Sequence, residues 1–149
     1  MIVIDSSGWV EFFTDGPLAD AYAIRLRNLA AVVTPVIILY EVYKRLKRDL
    51  SEDDAVVAVS AMQRTQIVPV TGEIALTAAD LSLEQGLAMA DAMILATARM
   101  YRAELITSDR DFASSLVSRI CRRFRPRNHQ APPTANHQLR TTNYEPRTR

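Results

Sequence analysis

The chain is poor in the side chains that most often mark a catalytic or redox site. It has a single cysteine, Cys121, in 149 residues, which excludes an intramolecular disulfide and any multi-cysteine metal site. That lone residue reads as a small apolar side chain. Its two histidines, His129 and His137, both fall in the C-terminal stretch, so neither is a good candidate for a general base. It has only four glycines and no glycine-rich phosphate loop, which disfavours nucleoside triphosphate chemistry. Long apolar runs are also missing: Leu87 to Met100 is broken by Asp91 and Arg99, so no membrane span is expected. The opening Met1-Ile2-Val3-Ile4 meets Asp5 at once and has no basic region before it, which is not the pattern of a signal peptide. Together these features predict a cytoplasmic protein.

What is present is ordinary in amount and uneven in placement. Apolar residues make up 48% and charged residues 23%, as in a typical globular domain, and the length suits one domain with its own core. The formal net charge is only +1. However, residues 117–149 contain eight arginines against one acid, Glu145, a balance of +7 that leaves −6 for residues 1–116. Residues 122–149 also hold four of the seven prolines and no glycine, and are expected to form a basic, disordered tail. The globular domain is therefore expected over 1–116, with 117–121 as a possible last strand.

Ile2-Val3-Ile4 is short, wholly apolar and β-branched, the signature of a strand buried on both faces of a parallel sheet. Further strands are expected near 31–34, at 67–70 with Pro69 favouring an edge position, and near 104–107. Helical segments separate them. Ser6 or Ser7 can cap a helix from about Gly8, and 18–29 reads as a second helix. Thr34 can cap a third with Pro35 at its first position, and Ser51-Glu52-Asp53-Asp54 starts a fourth. Glu73 to Gln85 and Ala88 to Arg102 are separated by Gly86. Strands alternating with helices predict a three-layer α/β fold with a parallel four- to five-stranded sheet flanked by helices.

Against this frame four acids stand out. Asp5 follows the first strand directly, and Asp109 follows the last clear strand by two residues. Glu41 lies two turns into the third helix and Asp91 in the first turn of the last. Ligands of open parallel sheets bind beyond the carboxyl ends of the strands, and all four acids converge there if the first and fourth strands are neighbours. Carboxylates about 5 Å apart repel by about 3 kcal/mol per pair at an effective dielectric of ~20. A cation relieves this, and an all-oxygen site without histidine or thiolate suits Mg²⁺ or Mn²⁺ over Zn²⁺. Such sites activate water and neutralise charge on a phosphodiester. Each acid also has a structural role open to it: Asp5 as a helix cap, Glu41 paired with Lys44 or Arg45, Asp91 on a helix dipole, Asp109 and Asp111 as turn formers.

Four segments, in order and spacing, resemble the PIN-domain ribonucleases, and among them the VapC-type toxins of toxin–antitoxin pairs. These are Ile2-Val3-Ile4-Asp5-Ser6-Ser7, Glu41, Ala90-Asp91-Ala92 and Thr107-Ser108-Asp109-Arg110-Asp111-Phe112. The resemblance covers about residues 1–116. It implies a Mg²⁺- or Mn²⁺-dependent endoribonuclease with Asp5, Glu41, Asp91 and Asp109 as its acidic quartet. It further implies Thr107 and Ser6 as polar neighbours of the metal, and Asp111 as an auxiliary acid. A tRNA or rRNA substrate, a small cognate antitoxin and a homodimer are implied as well. After Phe112 the chain departs from the family pattern.

Two other groups bear on this reading. Lys44, Arg45, Lys47 and Arg48 crowd one helix beside Glu41, either as a solvated face or, for Lys44, Arg45 and Arg48, as contacts to RNA phosphates. Trp9, Phe12 and Phe13, at helical spacing, are expected in the core or a dimer contact in preference to stacking RNA bases. A different class remains open: a catalytically silent interaction module whose acidic cleft binds a basic partner segment. A phosphate-accepting receiver or aspartate-nucleophile hydrolase is remote, because Ser6-Ser7 stands where those sites want a second acid.

Overall fold

The computed structural model describes residues 1–108 and the strand Cys121–Arg123. In chain order the elements are β1 (Ile2–Ile4), α1 (Ser6–Phe13), α2 (Ala19–Arg25), a 3₁₀ turn (Leu29–Ala31), β2 (Val33–Pro35), α3 (Val36–Asp49) and α4 (Glu52–Met62). There follow β3 (Gln66–Val68), α5 (Gly72–Gln85), α6 (Met89–Met100), β4 (Glu104–Thr107) and β5 (Cys121–Arg123). Every strand pairing is parallel. One ladder runs β1-β4-β5 and the other β2-β3, and a parallel bridge from Ile2 to Val32 joins them. The strand order is thus β3-β2-β1-β4-β5, with β1 central and β3 at an edge.

The first strand is central because it can be: Val3 and Ile4 are fully buried, as are their neighbours Leu105 and Ile106 on β4. The register pairs Ile4 with Ile106, and the Asp5 amide then donates to the Ile106 carbonyl at 3.0 Å. Helices flank the sheet, with α3 packed on α4 and α5 on α6, and α6 also against β1, β2 and β4. Trp9, Phe12 and Phe13 of α1 are buried, with Trp9 and Phe13 stacked at 5.7 Å and an interplanar angle of 18°. They are core residues and not a surface for bases. No helix among the described residues is long and apolar enough to cross a membrane.

Several boundaries differ from the sequence expectation, each for a local reason. The first helix begins at Ser6 and is capped by Asp5, whose carboxylate accepts from the Ser6 amide, so neither serine is the cap. The second helix stops at Arg25, because Asn28 (φ −116°, ψ 84°) is out of helical conformation ahead of the 3₁₀ turn. Pro35 does not open α3 but closes β2, opposite Val68. Ser51 does cap α4, accepting from the Asp54 amide; Thr71, not among the expected caps, caps α5 by accepting from the Ile74 amide, and Gly86 ends α5 at φ 67°. β5 meets the expected strand over 117–121 only at Cys121 and runs into the segment read as a tail, with Arg123 opposite Thr107.

Gly8 is the tightest position in α1. A Cβ there would run into the Tyr22 ring and come within 2.8 Å of the Ile4 side chain. Gly8→Ala therefore destabilises the fold by about 1–3 kcal/mol through overpacking, despite alanine's better helix propensity. Chemical denaturation of the variant beside the parent checks this; equal or greater stability contradicts it.

Candidate active site

Asp5 leaves the carboxyl end of β1 with its side chain only 3% exposed. An unpartnered buried carboxylate is costly, and this one is surrounded by donors. Oδ1 accepts from the Ser6 amide at 2.7 Å, and Oδ2 accepts from the Ser7 hydroxyl at 2.8 Å and the Thr107 hydroxyl at 2.9 Å. The Thr107 bond is possible only because β4 lies beside β1 in register. Ser108 in turn donates to the Ser7 hydroxyl at 3.2 Å. Four side chains from two distant segments are thereby locked together at the carboxyl edge of the sheet.

Glu41 enters from α3. One of its carboxylate oxygens, Oε2, is buried with no hydrogen-bond partner. Burial raises the Glu41 pKa above the ordinary carboxylate value; a hydrogen bond from the Ser6 side chain opposes this, the Asp5 charge adds to it, and Lys44 opposes it. Asp5, Ser6 and Glu41 thus act on one another electrostatically.

Beside this cluster opens a cavity of about 420 Å³ lined by Ser6, Ser7, Val10, Glu11, Glu41, Lys44, Arg45, Arg48 and Ser108, with Asp5 buried behind the two serines that bond it. Glu41, Lys44, Arg45 and Arg48 fall at i, i+3, i+4 and i+7, so one stripe of α3 forms a wall that is acidic at one end and basic beyond. The two arginines share a counterion. Arg48 Nε donates to Asp49 at 2.7 Å, Arg45 Nε also bonds Asp49, and together they hold the Asp49 pKa down at about 2.

The structure therefore gathers Asp5, Ser6, Thr107, Glu41, Lys44, Arg45 and Arg48 around one end of the sheet. Asp91 sits half-buried in the first turn of α6 and is not part of the cavity wall. Asp109 and Asp111 lie outside the described residues. Among the described residues no three His, Cys, Asp or Glu side chains stand together as a complete cation site. The sequence reading passed over Ser7 and Ser108, which bond the site directly, and Glu11, which lines it and accepts from the Leu18 amide at 2.9 Å. The signal for Ser7 was its place two residues after Asp5, where a hydroxyl can turn back to the carboxylate.

A parallel α/β sheet with a buried aspartate at the end of its central strand and a glutamate facing it defines an acid-centred domain of the kind that sequence comparison can place. The chain belongs to the PIN domain family, whose model matches residues 2–114. Solved structures agree. A toxin–antitoxin complex from Klebsiella pneumoniae is 26% identical, with a TM-score of 0.65, covering 78% of this chain and 94% of that one. VapC20 of Mycobacterium tuberculosis, a sarcin–ricin loop cleaving toxin, is 21% identical with a TM-score of 0.59, over 70% of this chain and 85% of that one. FitAcB from Neisseria gonorrhoeae is also 21% identical with a TM-score of 0.65, covering 85% and 98%. The last two likenesses establish shared fold. No curated protein matches the chain.

The raised Glu41 pKa has a definite sign for stability. The folded chain holds the Glu41 proton more tightly than the unfolded chain, so stability falls as pH rises from about 4.5 through the folded value. Glu41→Gln removes that fall. In the presence of chelator the variant melts above the parent at pH 7, and the gap closes below pH 4.5. Thermal melts at both pH values test this; a variant less stable than the parent at pH 7 contradicts it.

Proposed function

We propose that this chain is a metal-dependent endoribonuclease, the toxin of a type II toxin–antitoxin pair. The observation that carries the reading is the buried Asp5 carboxylate beside the unpartnered Glu41 Oε2, at the carboxyl edge of a PIN-family sheet. Family membership and the toxin–antitoxin relatives support the nuclease class, and the sarcin–ricin loop cleaving relative supports RNA as substrate.

The donor set fits a hard divalent cation. It is all oxygen, and a buried carboxylate oxygen without a partner is the acceptor such an ion satisfies. Asp5, Glu41, Asp91 and Asp109 would hold Mg²⁺ or Mn²⁺, with Asp111, Thr107 and Ser6 auxiliary. When bound, the ion supplies an acidified water and charge neutralisation at a phosphodiester. The protein's own groups do the rest. Ser6, Ser7 and Thr107 fix the Asp5 lone pairs, and the Thr107 bond makes that orientation depend on the β1–β4 register. Glu41 lines the adjoining cavity, close enough to Asp5 for the two charges to act on each other. Lys44, Arg45 and Arg48 present positive charge where the RNA backbone would enter, which the acidic domain otherwise repels. The partners of this reading are tRNA or rRNA, a cognate antitoxin and a second copy of the chain.

Asp5→Asn and Asp91→Asn each lower cleavage of end-labelled tRNA or rRNA fragments by about 100-fold or more, and EDTA does the same to the parent. Gel analysis of purified proteins with Mg²⁺, Mn²⁺ or EDTA is the check. Undiminished cleavage by either variant sinks the assignment.

A further inference from the structure

Resting on that reading, one exposed aromatic has no role yet. Tyr40 immediately precedes Glu41 on α3 and is 58% exposed, while the core aromatics Trp9, Phe13 and Tyr22 are at most 2% exposed. The fold does not need its ring. What holds the ring in place is Lys44, one turn on: its ammonium lies 4.9 Å from the ring centroid and 3.4 Å from the phenol oxygen.

Lys44 differs from the other cations of the helix. Arg45 and Arg48 both pair with Asp49. Lys47 pairs with Glu52 at 2.7 Å, and Tyr43, beneath it, also donates to Glu52 at 3.2 Å. Among the described residues of α3, Lys44 is therefore the one cation with no carboxylate in salt-bridge contact, and it lines the cavity with Ser6, Ser7 and Glu41. An exposed tyrosine ring with an ammonium over it, reaching from the cavity that Lys44 lines, matches one ligand chemistry: a base and its phosphate.

We propose that Tyr40 is a stacking platform for an unpaired RNA base next to the scissile bond, and that Lys44 takes the adjoining phosphate. Lys44 lies over one face of the ring, and the other face is offered to the base. Stacking tolerates any base, so this subsite selects unpaired over duplexed RNA and leaves the sequence to be read elsewhere. It predicts cleavage in loops and bulges, where bases can splay out.

The test is binding of a fluorescein-labelled single-stranded RNA and its duplexed form to the full chain in an Asp91→Asn background, which prevents cleavage. Tyr40→Leu weakens single-strand binding by about 5- to 100-fold, Tyr40→Phe restores it to about twofold of the parent, and duplex binding changes little. Lys44→Gln weakens both forms and flattens the salt dependence by about one phosphate contact. If the Asp91→Asn parent binds RNA and the unsubstituted chain cuts it, while Tyr40→Leu matches that parent on single strands, the platform is wrong and the nuclease stands. If the Asp91→Asn parent does not bind and the unsubstituted chain does not cut, both readings fall together. If Tyr40→Leu alters only the oligomeric state, measured by sedimentation, the ring is a contact between copies and the platform is again overturned. Circular dichroism melts confirm that each variant is folded.

Discussion

The Asp5 carboxylate accepts hydrogen bonds from the first turn of α1 through Ser6 and Ser7, and from the end of β4 through Thr107. Those partners are separated by about a hundred residues of chain and meet because β1 and β4 pair in parallel. One buried charge thus caps a helix, joins two strands and bonds Ser6 and Ser7, which line the cavity. Its burial is tolerable only with such donors in place, since an ionised group stripped of water without partners costs several kcal/mol (on the order of 3–5 for a broken pair). The central β1–β4 register and the geometry of the site are therefore one constraint.

Glu41 is the counterpart that this constraint does not satisfy. Its Oε2 is buried without a partner, and its pKa is raised chiefly by burial, with Asp5 adding to it. Native proteins rarely leave such an atom unpaired, and where they do a bound ion or a catalytic role is the common reason. The basic stretch of α3 follows the same logic. Arg45 and Arg48 are anchored on Asp49 and Lys47 on Glu52, so they present fixed charge, whereas Lys44 has no salt bridge and rests on Tyr40, through its ring and its hydroxyl. One helix thus carries, in sequence, an acid, a cation without a salt bridge and three cations that have one.

Much of this was legible in the chain. The apolar β-branched runs at Ile2–Ile4 and Leu105–Thr107 gave strands because residues buried on both faces leave no polar alternation to mistake. Asp5 was legible by position, at the end of an apolar strand, and the neighbouring strands that bring Asp5 and Thr107 together are the observed β1 and β4. The roles of Ser6 and Ser7 were not. As candidate caps they and Asp5 compete for one place, and only the fold shows that Asp5 caps while Ser7 turns to its carboxylate. Pro35 was likewise ambiguous, since its fixed φ suits both a first helical turn and a strand end. The sequence could not rank the four cations of α3, because ion pairing across to α4 depends on the packing of Glu52.

The central claim is that the Asp5–Glu41 pair belongs to a divalent-metal site. Calorimetric titration of Mn²⁺ into the full chain, beside Asp5→Asn and Glu41→Gln, tests it without reference to any RNA. Saturable binding by the parent, lost in Asp5→Asn and weakened in Glu41→Gln, is the predicted result. Equal heats for all three proteins, or no binding by the parent, would contradict it and leave the cleft as a surface for a basic partner segment.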